Sequence, residues 1–264
     1  MELGLRGRTV LVLAGSRGLG RAVAEELGRE GAAVALCARG EAALAEAAAA
    51  VARAGAARVL PQVCDVTDPA ALSALIDRVE HDLGPVDCCL VNAGGPPAAD
   101  FQDLDDAAWE SALQANLMTA VRVCRRLLPG MRERGFGRLV QITSVSVREP
   151  VPGLVLSNTV RPAAHALFHH LAREAAADGV TLNSVAPGYH ATSAVERLVE
   201  RRIAAGEAPD RAAVLAAWER EIPAGRLGRP EELAALVVFL MSERAGYITG
   251  QLVTCDGGWV RAAF

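Results

Sequence analysis

The chain has 264 residues, of which 52% are hydrophobic, and its formal net charge is −4 at pH 7. This size and apolar content suit one large α/β domain, and the slightly acidic balance gives no reason to expect a nucleic-acid partner. No apolar run reaches the roughly 18 residues that a membrane span needs, and the N-terminus lacks a signal-peptide pattern. We therefore expect a cytoplasmic protein that does not bind membranes.

Short β-rich runs alternate with longer helical runs along the whole chain. In order, the pattern predicts strand Thr9–Ala14, a helix ending near Arg29, strand Ala33–Cys37, helix Glu41–Ala54, strand Val59–Cys64, a helix capped by Asp68, strand Val86–Val91, helix Asp105–Leu128, strand Arg138–Thr143, helix Arg161–Ala177, strand Val180–Val185, helix Glu231–Met241 and strand Gln251–Thr254. Apolar strands between helices indicate a parallel sheet covered on both faces. We predict an α/β fold, a Rossmann-type doubly wound sheet forming a single domain over residues 1–264.

One charged, helical segment, Tyr189 to Arg226, departs from this alternation. It follows a strand's carboxyl end, where such sheets bind their ligands, so we predict a substrate lid over about residues 189–226. Its apolar positions could face a ring or an acyl chain, although the same spacing suits two helices that pack on the core. These positions are Val195, Leu198, Val199, Ile203, Leu215 and Trp218.

A glycine-rich turn connects the first strand to the first helix. Glycines let the backbone turn sharply and approach a pyrophosphate, which then lies at the helix N-terminus. The position of this turn between a buried strand and a helix favours a dinucleotide site. The turn comprises Gly15, Ser16, Arg17, Gly18, Leu19 and Gly20.

The glycine spacing and several later motifs resemble the short-chain dehydrogenase/reductase family. The similarity covers nearly the whole chain, and its C-terminal part, Gly225–Glu232 and Ile248–Gly258, is close to the acyl-carrier-protein ketoreductase branch. The resemblance implies roles in binding the adenine, the dinucleotide and the nicotinamide carboxamide. The matching motifs are Cys64-Asp65-Val66, then Asn92-Ala93-Gly94, then Pro187-Gly188 with Thr192.

The end of the second strand bears on the choice of nicotinamide cofactor. Enzymes that use NAD place an acid there for the ribose 2′-hydroxyl, whereas Leu36–Arg39 contains none. Arg17 and Arg39 are expected where a 2′-phosphate would bind, and a guanidinium suits a phosphate. We predict NADP(H), although both residues could be ordinary surface arginines of an arginine-rich chain.

The resemblance also implies a set of catalytic side chains. Asn116 matches the family's asparagine, and Ser144 matches the serine that polarises the carbonyl. Thirteen residues after Ser144, where the family has its proton-donating tyrosine, the chain has Ser157; four residues later, Arg161 replaces the family's lysine. An arginine can still bind ribose but does not pass on a proton, and a serine hydroxyl is a far weaker acid than a phenol.

Two residues could replace the missing proton donor. Tyr189 and His190 directly follow Pro187-Gly188, at the mouth of the expected nicotinamide site. Histidine has the better pKa for proton transfer. The alternative is that both residues only line the hinge of the lid.

Three functions remain open at this point. The first is an NADP(H)-dependent oxidoreductase acting on the carbonyl or hydroxyl of a small-molecule or acyl substrate with an atypical proton donor. The second is a dehydratase, isomerase or cyclase on the same scaffold, and the third is a non-catalytic cofactor-binding subunit. No cysteine or histidine spacing predicts a metal site. The resemblance to the family implies that the protein forms a homotetramer or a homodimer.

Overall fold

The computed structural model describes residues 2–262, in which seven parallel strands form one sheet. The strand order is β3-β2-β1-β4-β5-β6-β7. The strands are β1 (Thr9–Val12), β2 (Ala33–Ala38), β3 (Arg58–Val63), β4 (Cys88–Val91), β5 (Gly137–Ile142), β6 (Val180–Pro187) and β7 (Leu252–Cys255). From β1 the chain adds β2 and β3 on one side of the sheet and then β4 to β7 on the other side. This change of side between β1 and β4 opens a crevice at the carboxyl ends of these two strands.

Helices cover both faces of this sheet. They are α1 (Gly18–Arg29), α2 (Glu41–Ala54), α3 (Pro69–Leu83), α4 (Asp106–Leu113), α5 (Thr119–Glu133), α6 (Val155–Ala175), α7 (Ser193–Ala204), α8 (Arg211–Glu221) and α9 (Pro230–Met241). The predicted cap of α3 is present, because the Asp68 carboxylate accepts hydrogen bonds from the amides of Ala70 and Ala71.

Alternate residues of β1, together with Leu13, which directly follows it, contribute to two separate cores. Val10 and Val12 lie in the core formed with α1, α2 and α9, whereas Leu11 and Leu13 lie in the core formed with α3, α5 and α6. A strand buried on both faces is typical of a parallel sheet between two helical layers. The predicted Rossmann-type doubly wound fold is confirmed.

Helix α6 begins six residues before the predicted start at Arg161. The predicted bounds, Arg161–Ala177, would put Pro162 in the first helical turn, whereas it lies inside α6. A proline there removes the hydrogen bond to the Asn158 carbonyl. The early turns form nevertheless because Leu156 and Val160 are buried against Ala112 of α4.

The predicted long helix after Asp105 consists of two α-helices joined by a π-helical turn, Gln114–Met118. Helices α7 and α8 occupy the predicted lid segment, and Val195, Val199, Val214 and Trp218 are buried between them. The apolar positions of this segment therefore pack largely against each other. No helix in residues 2–262 has the length and apolar character needed to span a membrane.

Candidate active site

The glycine turn lies directly after β1 and beside the end of β4. Gly18 has a φ of +53°, which favours glycine. A Cβ at Gly20 would lie 2.4 Å from the Ala14 carbonyl oxygen and 2.9 Å from Asn92 Nδ2, so only glycine fits. A Cβ at Gly94 would meet no atom within 4 Å. The turn thus packs tightly against the sheet, while the backbone after β4 borders open space.

The basic residues near this turn differ in their partners. Arg21 forms ion pairs with Glu25 and Glu46, each at 2.8 Å. Arg17 and Arg39 are exposed and form no ion pair within residues 2–262. Their guanidinium groups are therefore available to an anionic ligand at the edge of the crevice.

Asp65 lies after β3, close enough to Arg39 for their charges to interact. Its carboxylate accepts hydrogen bonds from the Thr67 amide at 3.0 Å and the Thr67 hydroxyl at 2.8 Å. These bonds, with a smaller contribution from Arg39, lower the pKa of the Asp65 carboxyl. The neighbouring Val66 carbonyl accepts from the Thr119 hydroxyl at 3.2 Å, which connects this loop to α5.

A small pocket of about 10 Å³ lies at the carboxyl ends of β4 and β5. Asn92 and Ala93 line it from the loop directly after β4, Asn116 from the π-helical turn, and Arg161 from α6. The Asn116 amide nitrogen donates to the Ala112 carbonyl at 3.0 Å, which fixes the side chain. A space of this size is just large enough for one water molecule.

Arg161 is a buried guanidinium, only 8% exposed. Its Nη1 donates to the carbonyl oxygens of Ile142, at 3.0 Å, and Thr143, both at the end of β5. Burial lowers the pKa of Arg161 to about 10, so the group stays charged at neutral pH. No carboxylate of residues 2–262 forms an ion pair with it, and a buried cation of this kind favours a ligand that accepts hydrogen bonds.

Ser144 and Ser157 lie on either side of a third serine, Ser146. The Ser144 hydroxyl accepts a hydrogen bond from the Ser146 amide at 3.1 Å. The hydroxyls of Ser146 and Ser157 are buried and lie 3.0 Å apart. Sequence reasoning missed Ser146, since nothing in the spacing of residues 146 and 157 indicates their contact.

Tyr189 is placed in an aromatic cluster. Its ring stacks on Trp218 with centroids 4.3 Å apart and contacts Trp259 at 4.9 Å. Burial raises the pKa of the Tyr189 phenol. The structure therefore places this ring against helix α8.

His190 is 3% exposed, and both of its ring nitrogens face protein atoms. Nδ1 lies 3.2 Å from the Gly188 carbonyl oxygen and Nε2 lies 3.7 Å from Cys255 Sγ. Burial lowers the pKa of His190, which favours the neutral ring.

The motif Pro187-Gly188 ends β6 beside β7. The Gly188 amide donates to the Cys255 carbonyl at 3.0 Å, and a Cβ at Gly188 would lie 2.8 Å from Asp256 Cβ. Thr192 precedes α7, and a Cβ at Gly18 would lie 3.6 Å from Thr192 Cβ. The start of the lid segment is thus close to the glycine turn.

Comparison with known proteins shows the family of the chain. Residues 13–260 match the family model described as enoyl-(acyl carrier protein) reductase. The 3-oxoacyl-[acyl-carrier-protein] reductase of Haemophilus influenzae is 33% identical over 96% of this chain and 98% of its own. An acetoacetyl-CoA reductase of Rhizobium meliloti is 38% identical over 74% of this chain and 76% of its own.

Solved structures show the same fold at full length. L-sorbose reductase from Gluconobacter frateurii, determined in complex with NADPH and L-sorbose, matches with a TM-score of 0.92 and 31% identity, over 99% of this chain and 100% of the other. The family model and the relatives show the family, and the solved structure shows the fold. The chain belongs to the short-chain dehydrogenase/reductase family and is an oxidoreductase of that type.

Proposed function

We propose that the protein is an NADP(H)-dependent oxidoreductase that acts on a carbonyl or hydroxyl group with an atypical proton donor. The observation that carries this proposal is that Asn116 and Arg161 line one pocket with Asn92, whose side chain lies against Gly20 of the glycine turn. Related proteins are named as reductases of acetoacetyl-CoA, 3-oxoacyl-acyl carrier protein and L-sorbose. The substrate is accordingly a small-molecule or acyl carbonyl compound.

The crevice has the features that a dinucleotide requires. The glycine turn admits no larger residue at Gly20, open space borders Gly94, and Arg161 has donors without a carboxylate partner. We assign the pyrophosphate to Gly15–Gly20, the adenine to Asp65 and Val66, the nicotinamide ribose to Asn92, Ala93, Gly94 and Arg161, and the carboxamide to Pro187, Gly188 and Thr192. The cofactor supplies hydride transfer when bound.

The preference for NADP(H) rests on charge. Arg17 and Arg39 are exposed and unpaired in residues 2–262, whereas the neighbouring Arg21 already has two carboxylate partners. Two free guanidinium groups favour a 2′-phosphate over a ribose hydroxyl. The L-sorbose reductase that matches this chain was solved with NADPH.

The proton donor is the least conventional part of the site. We propose that Ser157 and Arg161 stand where the family has tyrosine and lysine, and that Ser144 polarises the carbonyl. Ser157 donates towards or accepts from Ser146 inside the protein. A water molecule in the pocket between Asn116 and Arg161 is then the proton source, since that pocket fits one.

The roles of Tyr189 and His190 belong to the lid. Tyr189 lies between Trp218 and Trp259, and His190 is fixed by Gly188 and Cys255. We propose that both residues hold the hinge of a lid over residues 189–226. We also propose that the chain assembles as a homotetramer or homodimer.

The test is NADPH oxidation, followed spectrophotometrically, with a panel of ketones and 3-oxoacyl thioesters. Consumption of NADPH that requires a carbonyl compound and yields the alcohol supports the proposal. Tight NADPH binding without reduction of any compound would count against the proposal. If a hydroxylated compound loses water under the same conditions, the result would favour a dehydratase on the same scaffold instead.

A further inference from the structure

A second pocket lies between the segment that follows Ser144 and the C-terminal segment. Its volume is about 140 Å³. Six apolar residues line it: Val145, Pro150, Val151, Pro152, Trp259 and Val260. Glu149 and Arg261 complete the lining and are exposed. Val145, which lines the pocket, directly follows Ser144, the residue that we assign to carbonyl binding.

The C-terminal wall is held in place by two carboxylates. Asp256 accepts hydrogen bonds from the amides of Gly258, at 3.0 Å, and Val260, at 2.9 Å. Glu149 accepts from the Arg261 amide at 3.1 Å, which joins the two walls. The Trp259 ring also contacts Tyr189, so the lid supports this wall.

The opposite wall is equally constrained. Pro150 and Pro152 fix their own φ angles. Between them, the Val151 amide donates to Asn158 Oδ1 at 3.1 Å, and Asn158 Nδ2 donates to the Val151 carbonyl at 2.9 Å. Both walls are therefore formed before a ligand binds, which reduces the entropy cost of binding.

The volume and the lining of this pocket favour a ligand that contains a ring. A rigid apolar cavity of roughly 150 Å³ accommodates one benzene molecule. The flat Trp259 indole and two proline rings suit another ring, since aromatic surfaces stack offset or edge to face. An extended acyl chain is narrower and longer, so much of it would remain in water. One acid and one base at the exposed lining give no preference for a charged ring.

We propose that this pocket binds a neutral six-membered ring attached to the reacting carbonyl or hydroxyl carbon, and that straight-chain acyl compounds are poor substrates. The inference rests on the proposed function, because it takes Ser144 as the carbonyl-binding group. It narrows that function to compact, ring-bearing carbonyl compounds.

The experiment compares cyclohexyl methyl ketone with 2-octanone, two eight-carbon ketones of similar polarity. Dissociation constants are measured by ligand-observed NMR on the full chain, without cofactor and with NADPH. We expect the cyclic ketone to bind about tenfold more strongly, which corresponds to roughly 1.4 kcal/mol of binding free energy. Equal binding, stronger binding of 2-octanone, or no binding of either ketone overturns the proposal.

Variants locate the site. Val260→Phe fills the pocket with a ring and should remove the preference for the cyclic ketone, while the NADPH dissociation constant stays unchanged. Ala57→Phe adds the same ring at an exposed site at the amino end of β3 and should change neither. An undiminished preference in Val260→Phe contradicts the assignment. NADPH binding is measured separately. If the wild-type protein does not bind NADPH, that result would count against the proposed function and not against the ring pocket.

Discussion

The hydroxyls of Ser146 and Ser157 lie 3.0 Å apart in a buried pair, on the segment after β5 and on α6. Ser157 thus has a partner within the protein, and its hydroxyl is too short and too weakly acidic to replace a phenol. Four residues further along α6, Arg161 reaches back to the carbonyl oxygens that end β5. Both side chains are firmly placed, which fits an altered catalytic arrangement better than a degraded one.

Replacing this pair by the residues typical of the family should raise reductase activity. The double variant Ser157→Tyr/Arg161→Lys gains a phenol and a lysine beside Ser144, and general acid catalysis contributes about a hundredfold or more to kcat. The measurement is kcat for NADPH-dependent reduction of a ketone that the wild-type protein binds.

Controls separate chemistry from packing in that variant. Ser157→Ala should leave the activity of the wild-type protein nearly unchanged if water is the proton source, and should destabilise the fold by about 1 kcal/mol through the lost hydrogen bond. A folded double variant that binds NADPH and ketone but reduces no faster would contradict the account of the proton donor.

Arg39→Asp should change the cofactor preference. The substitution removes a guanidinium and places an acid where it can repel a 2′-phosphate and bind a ribose hydroxyl. We expect NADPH binding to weaken by about tenfold or more, the range for a hydrogen bond to a charged group, with NADH binding unchanged or stronger. Fluorescence titration measures both constants.

The matched control for that charge reversal is Arg53→Asp, on an exposed position at the end of α2 and away from the crevice. It should shift neither constant by much. Equal weakening of NADPH and NADH binding in Arg39→Asp would show that this residue does not recognise the 2′-phosphate.

Gly20→Ala should destabilise the protein even without cofactor. The new Cβ would lie 2.4 Å from the Ala14 carbonyl oxygen, so the backbone must move, at a cost of about 1–3 kcal/mol. Gly94→Ala meets no atom within 4 Å and should leave the free energy of unfolding nearly unchanged. Urea unfolding of both variants checks this; equal stabilities would refute the tight packing of the glycine turn.

Stability should fall as the solution becomes mildly acidic. Burial lowers the pKa of His190, so below about pH 6.5 the unfolded chain takes up a proton that the folded protein resists. Stability contributed by the neutral ring is present above that pH and is lost as pH falls towards the folded-state pKa. Urea unfolding at pH 7.5 and 5.5 measures the difference, which His190→Gln should reduce. An identical pH dependence in the variant would exclude His190 as a contributor.

The sequence predicted the sheet well because its central strands β1, β2, β4, β5 and β6 are almost fully buried and helices separate the strands along the chain. Leu11 and Val12 already indicate this, being apolar neighbours that enter opposite cores. The start of α6 was missed because Pro162 resembles a first-turn proline, and only the packing of Leu156 and Val160 against α4 overrides that local signal.

The site was predictable where its motifs are local. The glycine turn and Asn92 could be placed from their positions after two strands. The Ser146–Ser157 contact, the stacking of Tyr189 on Trp218 and the pocket beside Trp259 join residues from distant elements, so no spacing in the sequence reveals them.

The central claim is that the crevice binds NADPH in preference to NADH. The most direct test is a fluorescence titration of the purified protein with each cofactor separately. The account predicts tight NADPH binding and NADH binding weaker by about tenfold or more, as expected for loss of charge-assisted hydrogen bonds to the 2′-phosphate. Absence of binding by either cofactor would contradict it and leave a reaction that needs no nicotinamide.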